Sequence, residues 1–275
     1  MAKSVRDRLL WNGTLPDPGD TPGVKGRSEA SKEGAKMAPE LAELQERLFA
    51  NGKVGGRQRL LLLLQGMDAS GKDGTVKHVV GQVNPAGCRI TSFGAPSKEE
   101  LAHDFLWRII NALPSAGQLG VFNRSHYEDV LIVRVHDLVP RAVWSRRYAR
   151  INTWEKRVAS QGTTIVKVFL HISKSEQKQR LLKRLDDPRK HWKIGTADIP
   201  EREHWDDYQE AYLAALGKCS TDVAPWYVVP ADHKWYRDWA VSSLMLETLR
   251  DLDLGWPKRD DLDLQAMRKQ LKSEP

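Results

Sequence analysis

Five short apolar runs punctuate the chain, each followed by glycine or polar residues and then by a stretch with helical spacing. The first, RLLLLLQG at 59–66, is apolar at consecutive positions without alternation, the pattern of a strand buried on both faces. CRITSF (88–93), QLGVFN (118–123), TTIVKVFLHI (163–172) and APWYVVPA (224–231) read the same way. A helix is predicted from Pro39 through PELAELQERLFANG, with Leu41, Leu44 and Leu48 on one face and Gly52 past its end. Another is predicted over Thr75–Val83, and one over SKEELAHDFLWRIINAL, where Ser97 and Glu100 form a capping box. Further helical stretches fall at 125–134, 140–160, 174–186, 200–217 and 234–252. Strands alternating with helices predict a parallel sheet covered on both faces, joined by right-handed crossovers. The fold class is therefore α/β, three-layered, and a single domain. Residues 12–40, rich in Gly, Pro, Lys and Glu, predict an extended arm on the surface.

Composition narrows the partners. The chain has 275 residues, 40% of them hydrophobic and ten of them Trp, enough to exclude a wholly disordered protein. Lys and Arg number 43 against 36 Asp and Glu, and the surplus of seven points to a polyanion: nucleotide, nucleic acid, polyphosphate or acidic membrane. Two distant cysteines, Cys88 and Cys219, exclude a disulfide framework and a CxxC zinc cluster, so a reducing compartment is expected. MAKSVRDRLLWNG lacks the apolar core of a signal peptide, and Leu60–Leu64 is too short to span a bilayer. A soluble, cytoplasmic protein with no membrane partner is expected.

The chemistry starts after the first strand, at Gly66-Met67-Asp68-Ala69-Ser70-Gly71-Lys72-Asp73-Gly74-Thr75. Gly66, Gly71 and Lys72 match GxxxxGK, a loop whose backbone N–H groups cradle phosphate oxygens at a helix N-terminus. Gly66, Ala69, Ser70, Gly71, Asp73 and Gly74 are the expected phosphate-binding positions, with Lys72 following charge on a transferring phosphoryl group. Asp73 replaces the Ser or Thr that ordinarily binds Mg²⁺, and Thr75 stands two residues too late to substitute simply. An acid inside a phosphate nest makes sense when a cation lies between them, so Asp68 is the first candidate magnesium ligand. An Asx turn is the plainer use of the same side chain.

QLGVFN runs into Asn123-Arg124-Ser125-His126-Tyr127-Glu128-Asp129. Ligands of open α/β sheets sit beyond the carboxyl ends of the strands, so this segment should lie beside the phosphate loop. Arg124 is assigned to phosphate oxygens and Glu128 to metal or substrate positioning. Asn123 stands where most such folds place a metal-positioning Asp, giving Asp68, Asn123 and Glu128 as the candidate metal set. Asn123 or Ser125 could equally cap a helix, and His126 suits packing as well as catalysis. Between Lys174 and Lys193 lie eight basic residues against three acidic ones. Arg180 and Arg184, four apart on a helix, share a face. Asp187-Pro188 ends that helix, residues 188–199 read as a mobile hairpin, and a second helix starts at Pro200. A basic helix–loop–helix over a phosphate site reads as a lid that closes on a polyanion.

Together GMDASGKDG (66–74), FNRSHYEDVLIVRVH (122–136), QRLLKRLDDPRKHWK (179–193), HWDDYQEAY (204–212) and APWYVVPADHKWYR (224–237) resemble the second family of polyphosphate kinases. FNRSHYED is similar to its third subclass, which phosphorylates both nucleoside monophosphates and diphosphates. The resemblance implies a P-loop kinase fold over residues 39–257 with a lid at about 179–200, preceded by an arm (1–38) and followed by a charged tail (258–275). It implies phosphoryl transfer from inorganic polyphosphate to AMP and ADP, forming ADP and ATP, with Mg²⁺ (or Mn²⁺) and no nucleic acid. Asp68, Lys72, Arg124 and Glu128 would be catalytic, and Arg180, Arg184 and Lys193 would hold the donor chain. A homodimer or homotetramer is implied as well. Asp206, Asp207, Tyr208 and Trp226 are read as packing and helix surface. Two rivals remain: an ATP-dependent small-molecule or nucleotide kinase, which needs an adenine pocket and no long basic track, and a nucleic-acid-binding protein with a vestigial loop.

Overall fold

The five apolar runs form β1 (Arg59–Gln65), β2 (Cys88–Ser92), β3 (Leu119–Asn123), β4 (Thr163–His171) and β5 (Trp226–Pro230) of one parallel sheet, ordered β2-β3-β1-β4-β5. The computed structural model describes residues 4–274; residues 1–3 of the expected arm and residue 275 of the expected tail lie outside it. Leu60 through Leu64 are fully buried because β1 is central and both its faces are covered. Alternation divides them: Leu61 and Leu63 enter one core, Leu60, Leu62 and Leu64 the other. Pairing sets Leu64 opposite Asn123, so β1 and β3 end side by side and their following loops open at one sheet edge. Edge strand β2 is only partly covered, and its ends pair with β3 alone.

Beginning at the N-terminal side, α1 (Val5–Leu9) precedes α2 (Arg27–Lys53), which runs straight through Pro39. The predicted start at Pro39 is therefore corrected, and the expected arm boundary at residue 38 falls inside a helix. Ala30, Leu41, Gln45 and Leu48 are buried along α2. Packing on both sides of the proline offsets the hydrogen bond it cannot donate. After β1, α3 (Lys72–Val80) begins at the lysine itself rather than at Thr75.

The single helix expected over 97–113 is two, α4 (Lys98–Leu101) and α5 (Trp107–Ala112). The Ser97–Glu100 capping box is present, but Asp104 intervenes. Its carboxylate accepts from the Leu106 N–H at 3.1 Å and its carbonyl from Trp107 N–H at 2.8 Å, which turns the chain and starts a new helix. The stretch at 125–134 is a 3₁₀ turn, His126–Val130, followed by α6 (Ile132–Val135). Next come α7 (Arg141–Ser160) and α8 (Lys174–Leu185). The hairpin expected at 188–199 is two 3₁₀ turns, Pro188–Lys193 and Thr196–Asp198; the helix expected from Pro200 opens with a third, Pro200–His204, so α9 (Trp205–Cys219) begins five residues later than predicted. Finally α10 (Lys234–Asp251) and an exposed α11 (Leu264–Ser273) complete the chain described. Helices α2, α3 and α10 cover one face of the sheet, α7 and α9 the other. Among the described residues, no helix is long and apolar enough to cross a membrane.

Residues 4–26 are laid across the sheet's far edge. The Val5 and Arg6 N–H groups donate to the Glu247 carboxylate at 3.0 and 3.1 Å. Trp11 N–H donates to Trp226 O at 2.9 Å, and Leu10 bridges to Tyr227. Further along, Pro18 O accepts from Asp232 N–H at 3.1 Å and Pro22 O from the Tyr236 hydroxyl at 3.0 Å. The segment thus braces the turn between β5 and α10.

Candidate active site

The loop from β1 to α3 curls tightly enough to require a positive φ at Ala69 (61°) and at Gly71 (108°). Ser70 N–H closes it on Met67 O at 3.0 Å. Lys72, the first helical residue, is buried, and its ammonium donates to Gly66 O at 2.6 Å and Met67 O at 3.2 Å. Burial lowers the Lys72 pKa; Asp68, Glu128 and Asp73 pull it back up and Arg124 opposes them. The ammonium is thus held by two main-chain carbonyls of the loop, with carboxylates nearby favouring its charge. The Thr75 hydroxyl donates to Gly71 O at 3.2 Å, which occupies it within its own helix.

At the adjoining strand end Arg124 also has a positive φ, 63°, held by its N–H on Leu64 O at 3.0 Å. Non-glycine residues in that region carry strain that the surroundings must maintain. Here it aims the guanidinium across the gap, where Nη2 donates to Asp68 Oδ1 at 2.8 Å. Asn123 Nδ2 donates to Asp73 Oδ1 at 2.7 Å, so Asp73 fixes the end of β3.

Asp68 and Arg124 stand in the wall between two chambers. The larger, about 710 Å³, is lined by nine basic and three acidic side chains, among them Lys72, Asp73, Lys193, Lys234 and Arg237. The smaller, about 240 Å³, is lined by two basic and four acidic side chains, with Glu128, Ile132, Tyr208 and Tyr212 along it. Of the expected phosphate-loop positions, Ala69, Gly71, Asp73 and Gly74 line the larger chamber and Gly66 the smaller, whereas Ser70 is buried behind the loop. The candidate metal residues divide in the same way: Asn123 faces the larger chamber, Glu128 the smaller, and Asp68 both. Among the described residues no three His, Cys, Asp or Glu side chains converge on one point. That donor set suits a divalent cation of the magnesium type, which takes one or two protein carboxylates and completes its shell with phosphate oxygens and water.

The two arginines of the expected lid differ. Arg180 is buried and all its donors are engaged: Nε on Glu176 Oε1 (2.8 Å), Nη1 on Ala69 O and Ser70 O (3.0 and 2.9 Å), Nη2 on Ala231 O and Asp232 O (2.6 and 2.8 Å). It ties the phosphate loop to the end of β5. Gln177, one turn earlier, donates to Asp68 O at 3.0 Å and accepts from Arg202 at 2.6 Å, linking lid and loop. Arg184 holds only the lid itself, donating to Lys193 O at 2.9 Å with Asp198 at 3.9 Å. Lys193 and the exposed Trp192 line the larger chamber. Hydrogen bonds from Arg189 and Lys190 hold the Asp187 carboxyl well below the usual carboxylate range. In the smaller chamber the Tyr208 hydroxyl donates to Glu201, which also meets His136 Nε2 at 2.8 Å. Tyr208 therefore does more than pack, whereas Trp226 is a core residue.

Beneath the 124–130 segment lies a buried polar network. Lys167 Nζ donates to Glu155 Oε2 (2.6 Å), the Tyr127 hydroxyl (2.9 Å) and Cys219 O (2.6 Å). Tyr127 donates to Glu155 Oε1 at 2.9 Å, and His126 Nε2 lies 3.2 Å from the same oxygen. His126 is fully buried, its pKa lowered by desolvation, and it lines neither chamber. Next to Glu128, Asp129 accepts from Arg147 at 2.9 Å; even so, burial pushes its carboxyl up to about 6.

Sequence reasoning missed Arg237, Lys234, Trp192, Gln177 and Tyr208. Arg237 and Lys234 lie within a stretch that carried the family resemblance, the only signal available, because their partners are distant in the chain. The family model "Polyphosphate kinase 2 (PPK2)" matches residues 25–254. The chain is 51% identical over 243 residues to the "AMP/ADP-polyphosphate phosphotransferase" of Meiothermus ruber, covering 88% of this chain and 90% of that one. It is 45% identical to the "ADP-polyphosphate phosphotransferase" of Rhodopseudomonas palustris, covering 84% of each. The crystal structure of polyphosphate kinase 2 from Arthrobacter aurescens superposes with a TM-score of 0.95 at 51% identity, covering 99% of this chain and 98% of that one.

Proposed function

The chain belongs to the polyphosphate kinase 2 family, and from that premise we infer that it is a polyphosphate-dependent nucleotide phosphotransferase moving the terminal phosphate of inorganic polyphosphate to AMP and ADP. The observation that carries the reading is the pair of chambers with opposite charge balance meeting at Asp68 and Arg124. A basic chamber suits a chain of phosphates, and a smaller one with tyrosines and an isoleucine suits a nucleoside whose phosphate reaches the shared wall. Transfer would take place across that wall. The name carried by the Meiothermus relative supports use of both AMP and ADP; that of the Rhodopseudomonas relative names ADP.

Donor and acceptor are both anions, so the protein's task is to neutralise repulsion and align oxygens. Loop N–H groups of residues 69–74 would hold the donor's terminal phosphate while Lys72 and Arg124 follow charge onto the transferring group. A divalent metal, Mg²⁺ or Mn²⁺, would be held by Asp68 with Glu128 or Asn123 beside it and would supply further positive charge. No general base is needed, since the attacking phosphate oxygen is already ionised. Arg184 and Lys193 would grip the donor chain from the lid, whereas Arg180, with its donors engaged, would keep the loop in shape. The catalytic domain would comprise the elements from α2 to α10 with the lid at about 179–200. A cytoplasmic homodimer or homotetramer is the assembly consistent with this reading. The basic side chains gather around the chamber, which favours polyphosphate over nucleic acid as the polyanion.

The test is nucleotide formation by the purified protein with Mg²⁺ and long-chain polyphosphate, offered AMP and ADP separately. ATP from ADP, and ADP with ATP from AMP, is the expected result. Product from ADP alone would remove the dual-acceptor reading, and product with ATP as sole donor would replace the donor. Lys72→Ala and Asp68→Asn should each lower turnover at least about a hundredfold, the scale of losing a preorganised electrostatic group.

A further inference from the structure

Arg237 enters the larger chamber from α10, remote in sequence from the phosphate loop and the lid. It is 3% exposed. Its Nε and Nη2 donate to Asp238 Oδ1 at 2.9 and 2.6 Å, while Nη1 makes no hydrogen bond to the described residues. The guanidinium lies directly on the loop: a Cβ added at Gly71 would come within 1.8 Å of Nη1, and one at Gly74 within 2.9 Å of Nη2. Both glycines are thereby explained, since their missing side chains are the space the guanidinium fills. The same stretch opens α3, where free N–H groups would face a bound phosphate. A buried guanidinium with unengaged donors is costly until an anion completes it, and Asp238 answers only one side of the fork. Lys234, one turn earlier, lines the same chamber.

Resting on the functional reading above for the identity of the ligand, we propose that Arg237 is a catalytic residue that donates from Nη1 to the donor phosphate seated on the Gly71–Gly74 turn. It is a further cation on that phosphate besides Lys72 and Arg124, and it belongs to the donor side, because Arg237 and Lys234 line the larger chamber and not the smaller. The competing role is a brace that only shapes the loop. A brace would disturb both substrates alike; a donor ligand disturbs polyphosphate and spares the nucleotide.

The experiment compares Arg237→Met and Arg237→Gln with the unaltered protein by calorimetric titration with inorganic tripolyphosphate and by steady-state kinetics with each substrate varied. Both variants should bind tripolyphosphate about tenfold or more weakly, the usual scale of a lost hydrogen bond to a charged group. The KM for polyphosphate should rise in parallel, and the KM for ADP should stay within about twofold. Gln retains a donor toward Asp238 and covers the case in which Met does not fold. Unchanged tripolyphosphate binding in the variants, equal rises in both KM values, or no tripolyphosphate binding by the unaltered protein would overturn the proposal. Failure of the functional reading is separate: the unaltered protein would then form no nucleotide from polyphosphate, while the titrations would still report on the anion site.

Discussion

Arg180 and Arg184 are one helical turn apart on α8, carry the same charge and face the same chamber, yet they belong to different parts of the machine. At the foot of α8, Arg180 is buried and bonded to four main-chain carbonyls from two distant loops. Toward the end, Arg184 touches only the lid turns that follow. The contrast recurs on α7. Arg147 is largely buried and bonded to Asp129, whereas Arg150 pairs with Asp104 at the surface. Spacing decides which face a side chain takes; only the chain arriving from elsewhere decides whether it becomes a fixed strut or a free arm.

Removing the strut should have the largest effect. Arg180→Ala leaves buried carbonyls on the phosphate loop without donors, a loss of roughly 3–5 kcal/mol by analogy with breaking a buried charged network, and turnover should fall about a hundredfold or more. Thermal unfolding and initial rates check both. Equal stability of the variant would place Arg180 with Arg184 and dissolve the contrast. Next in size, Arg184→Ala should change stability by about 1 kcal/mol or less while raising the KM for long polyphosphate about tenfold, with kcat little altered.

Salt should then separate the two regions without mutation. The Asp187–Arg189 and Asp187–Lys190 pairs are surface contacts, and the Debye length shrinks from about 30 Å at 0.01 M to about 3 Å at 1 M. Amide exchange over 188–204 should quicken as salt is raised, while that of 66–74 stays as it is. The smallest effect on turnover is expected at Asp129, whose influence is on stability. Its carboxyl is raised to about 6 in the folded protein, against about 3.9 unfolded, so the fold binds this proton more tightly than the unfolded chain does. Stability from this group is complete below about pH 3.9 and is lost as pH rises through about 6. Asp129→Asn should remove that dependence, roughly 2–3 kcal/mol between pH 4 and pH 7, leaving the variant relatively better off at pH 7. A melting-temperature profile against pH tests the sign.

All five strands were legible because a run such as Leu60–Leu64 has no other stable fate, and the phosphate loop because its glycines and lysine have a spacing with a mechanism. Lost from view were features decided by distant contacts. Pro39 reads as a helix start because nothing local shows α10 supporting the turns before it. Asp104 reads as one more helical residue, though its carboxylate caps the next helix. For Arg180, spacing gives the face it shares with Arg184 and not its partners at Ala231 and Asp232. Apart from the family resemblance of its stretch, Arg237 has no local signal; the mark it leaves is on Gly71 and Gly74, whose lack of side chains makes room for it.

The strap formed by residues 4–26 imposes an order in time. On the ribosome those residues are made before the sheet, yet Val5 waits for Glu247, 242 positions later, and Pro22 waits for Tyr236, 214 positions later. At roughly 5–20 residues per second that is an interval of about ten to fifty seconds. The turn at Ala231 and Asp232, which completes the Arg180 tie to the phosphate loop, is made within the same interval. A nascent chain therefore carries a phosphate loop without its clamp until Ala231 and Asp232 have been made, and catalytic competence waits for that turn rather than arriving element by element.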